Sequence, residues 1–221
     1  MADSDDTLIP IRGITLAIDE AAVRVTSNAP LDALSSAIVG GDLRAARHIV
    51  NMHVPKGYDC ARPEDDLATF AARLGIVEPF VGMMTAARTH NARVAAETHD
   101  GITAVAIVTA GLSNLVAAGV SSLAPVSVGT INTILLLDAT LTPAAMVNAV
   151  ITATEAKTLT LVEHNARTPE GHLSSGTSTD AIVVACTGRG APLRYAGPAT
   201  VVGWLIARTV QRALSEIIGR G

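Results

Sequence analysis

Aromatic side chains make up only 2% of this 221-residue chain, and lysine is scarcer still, present only as Lys56 and Lys157. The other basic residues are arginines, scattered rather than grouped, and the formal net charge is −4. Proteins that hold nucleic acid use a basic stripe or stacking aromatics. Neither is here, so no nucleic acid is expected as a partner. Cys60 and Cys186 are the only cysteines, far apart and outside any CxxC pair. That argues against a structural disulfide and against a cysteine zinc site.

Long apolar runs are missing as well. Mean hydropathy is high at +0.40, but alanine and valine supply it. No window of about 18 residues is free of polar groups, so no membrane span is expected. The most apolar run, Ile131 to Leu137, carries Asn132 and Thr133 and has the length of a strand. The first residues, Met1-Ala2-Asp3-Ser4-Asp5-Asp6, lack the basic-then-apolar order of a signal peptide. Residues 1–10 read as a disordered acidic tail, and a cytoplasmic location is expected. The histidines show no ligand spacing. His48 and His53, five apart on one strand, point to opposite faces, and His90, His99, His164 and His172 fall in or near turns. Each reads as a surface or turn histidine, and no metal site is expected.

What is present is enough apolar chain for one domain over residues 11–221, with 49% hydrophobic residues. Residues 11–27 read as two strands around an Asp19-Glu20 turn, and 28–44 as a glycine- and serine-bearing loop. Strands are expected at 45–54, 77–87, 92–99, 102–109, 130–137 and 181–186. A helix over 63–74 opens on Pro63 and stops at Gly75. Thr142 and Pro143 open a long helix to about Glu163. A final amphipathic helix covers 199–217. The fold class is α+β or mixed α/β, a single domain with a largely continuous sheet covered by helices.

Small polar residues gather at Ser174-Ser175-Gly176-Thr177-Ser178-Thr179-Asp180, just before the apolar strand Ala181 to Cys186. Gly176 lets the backbone turn, and Thr177 and Ser178 offer hydroxyls and N–H groups. Asp180 either orients a reacting water or hydroxyl, or simply caps the turn. No phosphate-loop lysine follows, so a Walker-type site is unsupported. Glu155 and Lys157 place two charges in an otherwise apolar helix. They are either structural partners of other groups, or an acid/base and a charge stabiliser. Thr85, Thr109, Asn114 and Asn132 follow or open apolar strands and would line one pocket if those strand ends converge. Ser35 and Ser36 join them as candidate substrate contacts.

These motifs together resemble the adenosylcobinamide amidohydrolase family. The likeness spans LSSAIVGG (34–41), VGMMTAA (81–87), AIVTAGLSN (106–114), GTINTILL (129–136), TATEAKT (152–158), SSGTSTDAIVVAC (174–186) and RYAGPATVVGWLIAR (194–208). In the 174–180 motif Ser174-Ser175 stand where the family is associated with Ala-Thr. The resemblance implies a hydrolase that cleaves adenosylcobinamide to adenosylcobyric acid and 1-amino-2-propanol in corrinoid salvage. It implies a corrinoid substrate whose cobalt belongs to the substrate, with no separate cofactor. It carries over no catalytic residues. On the residues themselves, Glu155 or Asp180 would activate water or a hydroxyl, and Lys157 with the N–H groups of 176–178 would hold the oxyanion. A non-catalytic corrinoid carrier and a phosphate-ester or nucleotide enzyme remain as alternatives. The many small apolar residues are compatible with a homodimer.

Overall fold

The computed structural model describes residues 6–7, 9–41, 45–59, 61–123 and 130–219. The expectations for residues 1–5 and Cys60 lie outside the described residues. Nine strands share one hydrogen-bonded sheet: β1 (Asp6–Thr7), β2 (Ile14–Ile18), β3 (Ala22–Ser35), β4 (Ala46–His53), β5 (Val81–Thr85), β6 (Arg93–His99), β7 (Ile102–Ala110), β8 (Ile131–Leu137) and β9 (Ala181–Cys186). The order is β1-β2-β3-β9-β8-β7-β6, with β4 beside β3 and β5 beside β4. The β8–β9 and β4–β5 pairs are parallel and the others antiparallel. This is the expected mixed sheet covered by helices.

Two sequence readings change. Asp6 and Thr7 pair with Ala17 and Leu16, so the chain is in the sheet before the expected end of its tail. The stretch read as a loop from residue 28 continues as strand to Ser35, because Asp32 to Ser35 pair with Cys186 to Val183. Its polar sequence hid this. The register with β4 shifts between Thr26 and Leu31, which bends β3 and passes it from one set of partners to the other.

That bend folds the sheet over. Along β7, β8 and β9 the side chains alternate strictly. Val105, Ile107, Ile134, Leu136, Val183 and Ala185 pack with Leu16, Val25, Ile49 and Met83 of the other half. The opposite parity, Ala104, Ala106, Leu135, Leu137, Val184 and Cys186, packs under two helices, α2 (Pro143–Glu163) and α3 (Val201–Ile218). On the outer face of β4, Val50 and Met52 meet Leu67 of α1 (Pro63–Arg73). The layers therefore run helices, sheet, sheet, helix. Strands β7, β8 and β9 have covered faces on both sides, which is why their sequences read as near-continuous apolar runs.

The helix starts follow their capping chemistry. The Thr142 hydroxyl accepts from Ala145 N at 3.3 Å, with Pro143 at the first position. Thr200 accepts from Gly203 N at 3.1 Å. Gly203 is required for packing too, since a Cβ there would sit 2.6 Å from the Ala196 carbonyl oxygen. Cys186 lies in the core under the helices, and burial pushes its thiol up to about 12. None of the helices among the described residues is long and apolar enough to cross a membrane.

Leu136, fully buried between the two halves, tests the folded-over arrangement. Leu136→Ala is expected to cost about 2–5 kcal/mol, read in urea as a lower midpoint at unchanged slope.

Candidate active site

Folding the sheet over brings one set of strand ends together: the ends of β4, β5 and β7 and the starts of β8 and β9. Several buried polar residues gather at these ends. Asn132 opens β8 on the face toward β4 and is 1% exposed. Its amide donates to Asn51 Oδ1 at 2.9 Å and to the Met84 carbonyl at 2.8 Å. Asn51 in turn donates to Thr109 Oγ1 at 2.9 Å. The Thr130 hydroxyl lies 2.8 Å from Asn132 Oδ1 and 2.7 Å from the Thr179 carbonyl. A buried amide must be paired on both its donor and acceptor sides, and this chain of contacts does so while tying β4, β5, β7 and β8 together. The expectation that Thr85, Thr109 and Asn132 converge holds in space. All three are buried beneath the surface, however, so they form the floor of the region and do not line an open pocket. Asn51 was missed by sequence reasoning, although a lone asparagine inside the apolar run IVNMHV was the available signal.

On the helix side of the same strand starts lies a charged cluster. Asp180 Oδ1 accepts from Ile131 N at 3.0 Å, from Thr177 N at 3.1 Å and from the Thr177 hydroxyl at 2.5 Å. Asp180 Oδ2 is ion-paired with Lys157 Nζ of α2. The two side chains are only 18% and 15% exposed. Gly176 is what admits the pair, because a Cβ on it would overlap Asp180 Oδ2 and lie 2.6 Å from Lys157 Nζ.

The turn itself is held from behind. Ser174 Oγ donates to the Val116 carbonyl at 3.0 Å and accepts from Gly176 N at 3.1 Å. Gly176–Thr177 forms a short ribbon with Leu115–Val116. Asn114 donates to Ser178 Oγ at 3.0 Å. So Asn114, Gly176, Thr177, Ser178, Lys157 and Asp180 do come together.

Three sequence expectations do not fit this geometry. Glu155 is exposed, about 200° around α2 from Lys157, among the exposed side chains Val147, Ile151 and Leu159. Its apolar neighbours are a solvent-facing stripe, so it stands apart from the cluster. The N–H groups of Gly176 and Thr177 are already donated to Ser174 and Asp180, and so are not open to an oxyanion. Ser35 and Ser36 close the β3–β9 edge: Ile182 N donates to Ser36 Oγ at 3.0 Å, and Ser36 N donates to the Ile182 carbonyl at 3.0 Å. They are edge fasteners.

Next to the cluster a cavity of about 520 Å³ is lined by His53, Lys56, Ala86, Ala87, Arg88, Gly111, Leu112 and Ser113. The 3-10 turn Leu112–Asn114 is its shared wall: Leu112 and Ser113 face the cavity while Asn114 holds Ser178. Among the described residues no three His, Cys, Asp or Glu side chains lie close enough to hold a metal ion.

A family model described as adenosylcobinamide amidohydrolase matches residues 10–220. The adenosylcobinamide amidohydrolase of Methanosarcina mazei is 33% identical over 192 residues, covering 83% of this chain and 88% of its own. The uncharacterized protein MJ1613 of Methanocaldococcus jannaschii is 44% identical over 94 residues, 41% of this chain and 36% of its own. Among solved structures, the PH0078 protein of Pyrococcus horikoshii OT3 overlaps with a TM-score of 0.48 at 14% identity, over 99% of this chain and 80% of that one.

Gly176→Ala should destabilise the fold by about 1–3 kcal/mol, as overpacking does, because the new methyl must displace the Lys157–Asp180 pair. Gly197→Ala is the control, since a Cβ there meets nothing within 4 Å. Its urea midpoint should move by no more than about 0.5 kcal/mol equivalent.

Proposed function

The chain belongs to the adenosylcobinamide amidohydrolase family, and from that premise we propose that it hydrolyses the amide joining the corrin propionyl arm to aminopropanol, with Asp180, Lys157 and Thr177 as the reacting set. The products would be adenosylcobyric acid and 1-amino-2-propanol, which return salvaged corrinoid to cobamide synthesis. The observation that carries this reading is the Thr177 hydroxyl, 2.5 Å from a carboxylate that is itself fixed by two backbone N–H groups and a lysine.

Amide cleavage needs an activated nucleophile, a charge stabiliser and a proton for the leaving amine. Thr177 Oγ1 attacks the amide carbon while its proton passes to Asp180 Oδ1. The Lys157 ammonium, on the other carboxylate oxygen, would offset the developing oxyanion. Collapse of the tetrahedral adduct breaks the C–N bond, and Asp180 returns its proton to the departing amine. Water then attacks the threonyl ester, with Asp180 again taking the proton. This releases the cobyric acid carboxylate and restores the hydroxyl. Glu155 has no part in this scheme.

The cavity beyond the 112–114 turn, of ordinary ligand-site size, offers donors from Lys56, Arg88 and Ser113 to the amide-fringed rim of the macrocycle. A pure carrier would need the cavity but not a reactive hydroxyl paired with a fixed carboxylate.

Incubation with adenosylcobinamide should yield adenosylcobyric acid and aminopropanol, resolved by chromatography. Asp180→Asn and Lys157→Met should each lower kcat/KM of the folded protein by about 10²–10³-fold, with a lowered melting temperature because each leaves a largely buried partner charge uncompensated. Thr177→Val should be inactive while Thr177→Ser retains turnover. A folded Asp180→Asn protein with near wild-type turnover would sink the scheme.

A further inference from the structure

His53 has one ring nitrogen fixed and one free. Its Nδ1 lies 3.0 Å from the carbonyl oxygen of Ala87. A carbonyl can only accept, so Nδ1 carries the proton, and in the neutral ring Nε2 holds a lone pair. Among the described residues Nε2 has no hydrogen-bond partner, and His53 lines the 520 Å³ cavity. The backbone that carries the ring is fixed on both sides. His53 N donates to the Ala21 carbonyl at 2.8 Å on one side of β4, and His53 is in register with Thr85 of β5 on the other. A histidine whose second N–H is given to a backbone carbonyl, leaving the other nitrogen bare in a cavity, has the arrangement that metal-ligating imidazoles use.

No protein metal is called for here, but the substrate of the proposed reaction carries one. Adenosylcobinamide holds its adenosyl group on one face of the cobalt and has no nucleotide base on the other. We infer that His53 Nε2 ligates the substrate cobalt on that open face. The inference rests on the function proposed above. It gives the cavity a role distinct from the Lys157–Asp180–Thr177 cluster: His53 sets the corrin plane by a directional bond, and the 112–114 turn between the two sites then fixes where the aminopropanol arm falls. His53 lies two residues beyond Asn51 on β4, about 7 Å along the strand. The metal and the scissile arm are thus offered to different ends of one rigid floor. Lys56 and Arg88 flank the histidine and would meet peripheral amides.

The test uses cob(II)inamide bound to the intact protein and electron paramagnetic resonance. An imidazole ligand splits the cobalt lines into nitrogen triplets, and protein grown with ¹⁵N-histidine turns those triplets into doublets. The expected result is triplets in the wild type that are lost in His53→Ala and His53→Gln, with Kd for adenosylcobinamide raised at least about tenfold. Bound, hydrolysed corrinoid without nitrogen splitting overturns the inference and leaves the proposed function standing. Triplets that survive in both variants overturn it as well. So does loss of turnover in the variants with triplets and affinity intact, which would put His53 on the amide and not on the cobalt. If the wild type neither binds nor hydrolyses corrinoid, the proposed function and this inference fall together. The ¹⁵N arm needs only wild-type protein: doublets put a histidine on the cobalt, and His53 is the histidine that lines the cavity, whereas triplets that persist under the label overturn the inference even if a variant fails to fold.

Discussion

A strand covered on both faces has no room for an unpaired polar atom, and β8 is such a strand. From Ile131 to Leu137 every residue is buried. Its side chains point alternately at the helices and at the folded-over half of the sheet. The Asn132 amide is accommodated because partners are built for it: Asn51, Met84 and Thr130. The cost of leaving a buried amide unpaired, about 1–3 kcal/mol per group, is what pins β4 and β5 against the start of β8. That pairing adds to the ladder and core contacts in aligning the end of β4, which carries His53, with the strand ends beside Thr109 and Asp180.

The helix-side cluster obeys a related rule. A carboxylate and an ammonium largely withdrawn from water need close contact and further donors to offset their desolvation. Asp180 has both, through Lys157 and through the N–H groups of Ile131 and Thr177. Backbone donors cannot swing away as side chains can, so the carboxylate is aimed before any substrate arrives. The requirement falls back on Gly176, whose missing side chain is the space the pair occupies. Under the proposed mechanism, catalytic preorganisation and local packing would be the same constraint.

This division explains what was legible in the sequence. Two-sided strands announce themselves as apolar runs, so β7, β8 and β9 were readable, as were α2 and α3 from Thr142, Pro143 and helical spacing. The cluster at Gly176 to Asp180 was readable because small polar residues have no business at a core strand unless they form a turn or a site. The second half of β3 was not readable. Its Asn28 to Asp32 stretch is partly exposed and carries a proline, and strand character from Asp32 to Ser35 comes from pairing with β9, which local propensity does not encode. Glu155 misled for the opposite reason. Helical spacing correctly placed it among Ile151 and Leu159, but an apolar stripe on a helix can face solvent as well as core. His53 looked like any strand histidine, since the carbonyl that fixes its tautomer comes from Ala87, 34 residues away.

On the proposed function, the cavity and the cluster would solve different problems for one large substrate. A corrinoid presents many near-equivalent amides around its rim, and hydrogen bonds from flexible side chains such as Lys56 and Arg88 discriminate poorly among them. Choosing a single arm requires fixing the rotation and tilt of the macrocycle against a rigid frame, and misplacement by about 1 Å can cost about a hundredfold in rate. A histidine held between two strands and a carboxylate held by two backbone N–H groups are rigid in that sense. The short Leu112–Asn114 turn fixes their separation, touching the cavity with Ser113 and the reactive turn with Asn114. Selectivity for one amide would then arise from geometry between the two sites rather than from recognition of the amide itself, which is chemically like its neighbours.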